Sequence, residues 1–194
     1  RASRYTAKPT APEFLPILRI SLSYCPPEST PVGTPATNPL NQYSSIRKGM
    51  SIQRINPGYG FSKKISKKTG RKILLVVNAR GGTTLKQWSK GPEGKGYYEE
   101  AVRRAKQAME YGTLKAILWH QGCGDSRNTD VYLENLAVFV QNLRDDLGVS
   151  EIPFIAGELG QWRKNVASFN EMIHHISEYI PNSDWVSSKN CVPI

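Results

Sequence analysis

A chain of 194 residues, 39% of them apolar, is long enough for one domain with its own core, and it holds no apolar run near the roughly 20 residues that a membrane-spanning helix needs. The formal charge of +10 suits polyanions, yet no recognition motif or interleaved aromatic platform accompanies the basic residues, which argues against specific nucleic-acid reading. Cys25, Cys123 and Cys191 are odd in number and lack metal-ligand spacing; they define neither a disulfide framework nor a redox compartment.

The beginning of the chain differs from the rest. Arg1 is not a start residue and no signal peptide follows, so the start is expected to be processed or missing. Pro9, Pro12, Pro16, Pro26, Pro27, Pro31 and Pro35 fall within residues 1–37, among many Ser and Thr, and predict an extended surface segment. Within it only 14–22 has the composition of a first strand. Residues 38–59 read as loop, and 59–68 as a helix stopped by Gly70. Its basic residues, Lys63, Lys64, Lys67 and Lys68, read as a solvated face, with cations that suit the C-terminal end of the dipole.

Residues 72–77, Lys-Ile-Leu-Leu-Val-Val, carry a buried-strand pattern that breaks at a Gly-rich loop, 78–83. A helix is predicted over 97–111, ended by Gly112, then a strand over 115–119. Thr129 or Asp130 is expected to cap the next helix, which has Tyr132, Leu136, Phe139, Val140 and Leu143 on one face and Gly148 at its end. A strand over 152–156, a helix over 165–180 stopped by Pro181, and a last strand starting at Trp185 complete the pattern.

Strands alternating with helices imply a parallel sheet covered on both faces by right-handed crossovers. All strand-to-helix loops then leave one edge of the sheet, bringing together 78–83, 120–126 and 157–161. In open α/β sheets ligands bind at that edge.

Each loop offers chemistry beside a plainer alternative. Gly81 and Gly82 leave backbone N–H groups uncovered, fit for a phosphate or an oxyanion, or they only make a turn. The Gln121 amide completes an oxyanion hole, or bonds neighbouring backbone. His120 is a base, or a packed, hydrogen-bonded residue. Cys123 is a nucleophile near His120, or a small buried apolar residue. Asp125 and Glu158 bind ligand, or pair with Arg80. His174 and His175 read as mid-helix structural residues away from the loops.

Three segments together are more specific: Val-Val-Asn-Ala-Arg-Gly-Gly-Thr-Thr-Leu-Lys-Gln-Trp (76–88), Ile-Leu-Trp-His-Gln-Gly-Cys-Gly-Asp-Ser (117–126) and Pro-Phe-Ile-Ala-Gly-Glu-Leu-Gly (153–160). In this order they resemble the sialate O-acetylesterase-like carbohydrate esterases, which include the family 6 acetylxylan esterases and belong to the SGNH hydrolases. The resemblance covers about 38–188. It implies a three-layer α/β/α, flavodoxin-like parallel sheet and removal of acetyl groups from sugars by a Ser-His-Asp triad. No metal and no cofactor are implied, and a secreted or periplasmic location is favoured. Gly82 (or Gly81) would give a backbone oxyanion donor and Gln121 a side-chain donor. Arg80, His120, Asp125 and Glu158 would shape the substrate pocket and hold the loops together.

The family's Gly-Gln-Ser-Asn after the first strand has no counterpart here. Its nearest analogue, Ser21-Leu22-Ser23-Tyr24, makes Ser23 the expected nucleophile. The Asp-x-x-His block that follows in the family lies beyond Ile194, so an esterase domain over 38–194, truncated at its C-terminus, is the expectation. Acetylated carbohydrate is the expected partner, and no membrane or specific nucleic acid. The competing expectation is an inactive homologue that binds acetylated glycans or polyanions. A Cys123-dependent hydrolase is a third.

Overall fold

A computed structural model describes residues 40, 45, 46 and 57–191 in full, and the backbone of residues 14–20. Ser23, Cys25 and most of the Pro-rich segment lie outside the described residues.

Among the described residues five strands form the sheet: β1 (Phe14–Ile20), β2 (Lys72–Val77), β3 (Ala116–Trp119), β4 (Phe154–Gly157) and β5 (Ser183–Val186). The helices are α1 (Pro57–Thr69), α2 (Tyr97–Met109), α3 (Tyr132–Leu147), α4 (Ala167–Ile173) and α5 (Ile176–Tyr179), with a 3-10 turn at Leu85–Trp88. Every strand pair is parallel, in the order β2-β1-β3-β4-β5. β1 is therefore an interior strand. It pairs Leu18 with Val76 of β2 on one side and with Ile117 of β3 on the other.

This order dictates the layers. The chain steps from β1 to β2 in one direction, and from β2 to β3, β4 and β5 in the other. Right-handed crossovers then put α1 on one face and α2 to α5 on the opposite face. The packing agrees: α1 lies on β2, α2 touches α3, and α3 touches α5. The result is the expected three-layer α/β/α, flavodoxin-like fold. The reversal of direction leaves a crevice between β1 and β3, where folds of this kind place ligands.

The core fills the space under α2 and α3. β3 turns Ile117 and Trp119 inward and β4 turns Phe154 and Ala156 inward, each of them buried, in register Ile117↔Phe154 and Trp119↔Ala156. Leu136, Phe139, Val140 and Leu143 recur at helical spacing on α3 and cover them. Trp119 meets Phe139 with ring centroids 4.9 Å apart and stands edge-on to Trp88 at 6.0 Å. Lys63, Lys64, Lys67 and Lys68 of α1 are exposed, as a solvated face requires.

Two elements differ from expectation. Neither Thr129 nor Asp130 caps α3 with its side chain. Val131 holds the N-cap position, and the Thr129 carbonyl accepts the Tyr132 amide at 3.1 Å. The helix expected over 165–180 breaks at His174 and His175, whose amides bond to Glu171 and Met172 three residues back. That tightened turn separates α4 from α5 and redirects His174.

Candidate active site

β2 ends at a fixed point. Arg104, buried on α2, donates from Nη1 to the Val77 carbonyl at 2.6 Å and to Asn78 Oδ1 at 2.9 Å. The loop that follows is closed by Thr83. Its hydroxyl donates to the Arg80 carbonyl at 3.0 Å and accepts the Trp88 indole N–H at 2.9 Å. Gly81 and Gly82 are exposed at the tip, Gly82 with φ +73°, a conformation that suits glycine. Among the described residues, neither glycine has a hydrogen-bond partner for its amide.

Two residues past β3 stands the residue that ties two loops together. Gln121 Nε2 donates to the Thr83 carbonyl at 2.8 Å and to Asp125 Oδ2 at 2.6 Å. Both neighbours are acceptors, so the nitrogen is on that side. Gln121 Oε1 accepts the Tyr132 hydroxyl at 2.8 Å, and that hydroxyl accepts the Trp119 indole N–H at 3.0 Å. Asp125 Oδ2 also takes the Leu85 amide at 2.9 Å. An uninterrupted relay of donors and acceptors thus runs from a buried tryptophan to the main chain beside Gly82. The Gln121 amide thus bonds backbone of the neighbouring loop.

β4 ends in a buried carboxylate. Glu158 is 5% exposed, and Oε1 accepts His174 Nε2 at 2.7 Å. Oε2 accepts the Ser188 amide at 2.7 Å, the Ser187 hydroxyl at 2.9 Å and Gln161 Nε2 at 3.2 Å. Burial alone would raise its pKa; these donors outweigh burial and hold it down at about 2. His174 is fixed from above by stacking on Trp185, with centroids 3.7 Å apart. The neighbouring Leu159 main chain is clasped by Asn170, which accepts the Leu159 amide at 2.8 Å and donates to its carbonyl at 3.0 Å. Glu158 thus anchors the chain leaving β5 to the chain leaving β4.

The expected residues divide accordingly. Gly81, Gly82, His120, Gln121, Asp125 and Glu158 all lie at the C-terminal edge of the sheet, and His120 Nε2 lies 3.2 Å from the Glu158 carbonyl oxygen. Arg80 is exposed and donates to the Ile46 carbonyl at 3.0 Å, and no ion pair joins it to Asp125 or Glu158. Cys123 is exposed, where a buried apolar residue was the plainer expectation. Ser23 lies outside the described residues. His174 corrects the sequence reading, since it contacts the loop after β4 through Glu158. A signal for it existed: Asn170 and His174 are polar residues four apart in sequence, beside the apolar Phe169 and Ile173. Asn is also a poor helix former unless its side chain has another task.

The family model described as carbohydrate esterase, sialic acid-specific acetylesterase matches residues 32–193. A probable carbohydrate esterase of Arabidopsis thaliana is 32% identical over 108 residues, which are 52% of this chain and 40% of that protein. The chain thus spans less than half the length of that curated relative. A solved structure of an Arabidopsis thaliana protein superimposes with a TM-score of 0.70 at 26% identity, covering 82% of this chain and 65% of the other. A carbohydrate acetylesterase of Xanthomonas citri shares the fold, with a TM-score of 0.56 at 18% identity over 70% of this chain and 34% of the other. With the family model matched across most of its length and the loops converging as described, the chain belongs to the carbohydrate esterase family of sialic acid-specific acetylesterases.

Proposed function

We propose that the protein is a carbohydrate O-acetylesterase that releases acetate from acetylated sugars of the xylan or sialate type by serine chemistry. One observation carries the reading: the Gln121 amide holds the Thr83 carbonyl, next to Gly82, beside the crevice between β1 and β3. β1 leaves the sheet at Ile20, and Ser23 follows three residues later in sequence.

When a serine hydroxyl attacks an acetyl carbonyl, negative charge grows on the carbonyl oxygen. Donors fixed in advance stabilise it, at about 3 kcal/mol each. The Gly82 amide suits this task because it is exposed and unpartnered among the described residues. Gln121 has both amide protons engaged, so its part is to hold the Gly82 loop in place. His120 and Glu158 complete the wall on the β4 side. A serine nucleophile also needs an imidazole and a carboxylate; none of the described residues is assigned to those roles.

Acetate release from p-nitrophenyl acetate and from acetylated xylan tests the reading, with Ser23→Ala expected to abolish both. Absence of turnover by the full-length protein would overturn it.

A further inference from the structure

The loop after β4 carries an exposed aromatic that the chemistry above does not use. Trp162 is 50% exposed, whereas Trp88 and Trp119 are each 2% exposed. A turn closed by the Arg163 amide on the Gly160 carbonyl, at 3.0 Å, presents it. The turn is linked to the site. Gln161 bonds the Glu158 carboxylate, and the Glu158 carbonyl meets His120 at the end of β3.

The orientation of the indole follows from Gly160, which is buried. A Cβ built on Gly160 would lie 2.6 Å from Trp162 Cη2 and 2.7 Å from Cε2, and nearer still to Cζ2 between them. Three successive ring atoms at nearly equal distance mean that the backbone meets the flat of the ring. An approach to the ring's edge would leave the outer two well over half an ångström farther than the middle one. One face of the indole is therefore bedded on Gly160 and the other faces outward.

We propose that Trp162 is a stacking platform for a pyranose ring of the substrate. The proposal rests on the carbohydrate reading above and adds a residue that recognises the sugar. A pyranose presents C–H groups on one face, and these suit the negative face of an indole, while its hydroxyls stay wet. Gln161, Arg163, Lys164 and Asn165, its neighbours in sequence, are exposed and polar. A single exposed ring flanked in sequence by polar residues matches one pyranose in size, whereas a protein partner needs a continuous patch.

Calorimetry with acetylated xylo-oligosaccharides tests this on the full chain, alongside hydrolysis of p-nitrophenyl acetate, which has no sugar. Trp162→Ala is expected to weaken oligosaccharide binding by about tenfold, and Trp162→Phe by clearly less. Gly160→Ala, which unseats the indole, should weaken binding like Trp162→Ala. Turnover of p-nitrophenyl acetate by Trp162→Ala should match the parent. If the parent binds no oligosaccharide, or Trp162→Ala binds as well as the parent, the platform is refuted, even where p-nitrophenyl acetate is still hydrolysed. If binding depends on Trp162 and neither ester is cleaved, the platform stands and the esterase reading falls.

Discussion

Gln121 and Thr83 stand 38 residues apart in sequence and share a 2.8 Å hydrogen bond from the side-chain amide to the main-chain carbonyl. The same nitrogen is 2.6 Å from Asp125 Oδ2, so position 121 must supply two protons toward two acceptors. Gln121→Glu would set a second carboxylate against Asp125 and the Thr83 carbonyl. It should destabilise the protein more than Gln121→Ala, which leaves polar groups unpaired at about 2 kcal/mol. Urea midpoints of the two variants check the order. A Gln121 that faced open space would instead tolerate Glu with no loss of stability. Both variants should lose the proposed acetylesterase turnover, since the Gly82 loop loses its brace.

Glu158 ties stability to acid pH. Its pKa is about 2 in the folded protein against an ordinary 4.5, because four donors outweigh the effect of burial. The folded state thus holds fewer protons on this group, and its contribution is complete above pH 4.5 and lost as pH falls toward 2. At about 1.4 kcal/mol per unit, the loss across that window is about 3 kcal/mol. Urea titrations between those limits should show the slope in the parent and a shallower one in Glu158→Gln. Identical slopes would mean that the carboxylate is not held as described.

His174 supplies one of those donors and packs flat on Trp185. His174→Gln can still donate to Glu158, whereas His174→Leu cannot. A bond to a charged acceptor is worth about 2 kcal/mol, so the Leu variant should fall below the Gln variant by roughly that amount in denaturant unfolding. Equal stabilities would show that stacking alone fixes the imidazole.

Much of this frame was legible in the residues. β2 coincides with the Lys-Ile-Leu-Leu-Val-Val run because a doubly covered strand has no polar side to alternate with. The common edge of the loops followed from alternation and handedness alone. What escaped were contacts between distant residues. Nothing around Gln121 announces that its acceptor is Thr83, and nothing around His174 announces Glu158. The break at His174 and His175 lacks Gly or Pro, so the sequence pattern carries no stop signal there. It turns there because His174 bonds Glu158 and stacks on Trp185, contacts that only the fold creates.

Gly122 is needed for space. A Cβ there would lie 2.6 Å from both Cε atoms of Phe169 and closer to Cζ, at a φ of +144°. Phe169 stands edge-on to Tyr132 at 4.9 Å, and Tyr132 donates to Gln121. Gly122→Ala should therefore push through Phe169 to Tyr132 and disturb the Gln121 relay, at about 3 kcal/mol from overpacking and backbone strain together. Adding Phe169→Leu removes the collision and should recover part of the loss. A double-mutant cycle on unfolding free energies measures that coupling. Strict additivity would show that the ring is not what the methyl strikes.

Cys123 sits between Gly122 and Gly124 at the tip of the loop after β3, exposed and outside any disulfide. Were it the nucleophile, a base would have to stand within hydrogen-bond reach of its sulfur. His120 Nε2 instead faces the Glu158 carbonyl, and the Ser126 hydroxyl bonds the Cys123 carbonyl rather than the thiol. Iodoacetamide should therefore label Cys123 in the folded protein, as it should the exposed Cys191, without removing the ability to release acetate. Peptide mass spectrometry locates the label, and parallel assays with p-nitrophenyl acetate read the activity. Inactivation in step with labelling of Cys123, repeated in Cys123→Ala, would overturn the proposed Ser23 nucleophile in favour of the thiol.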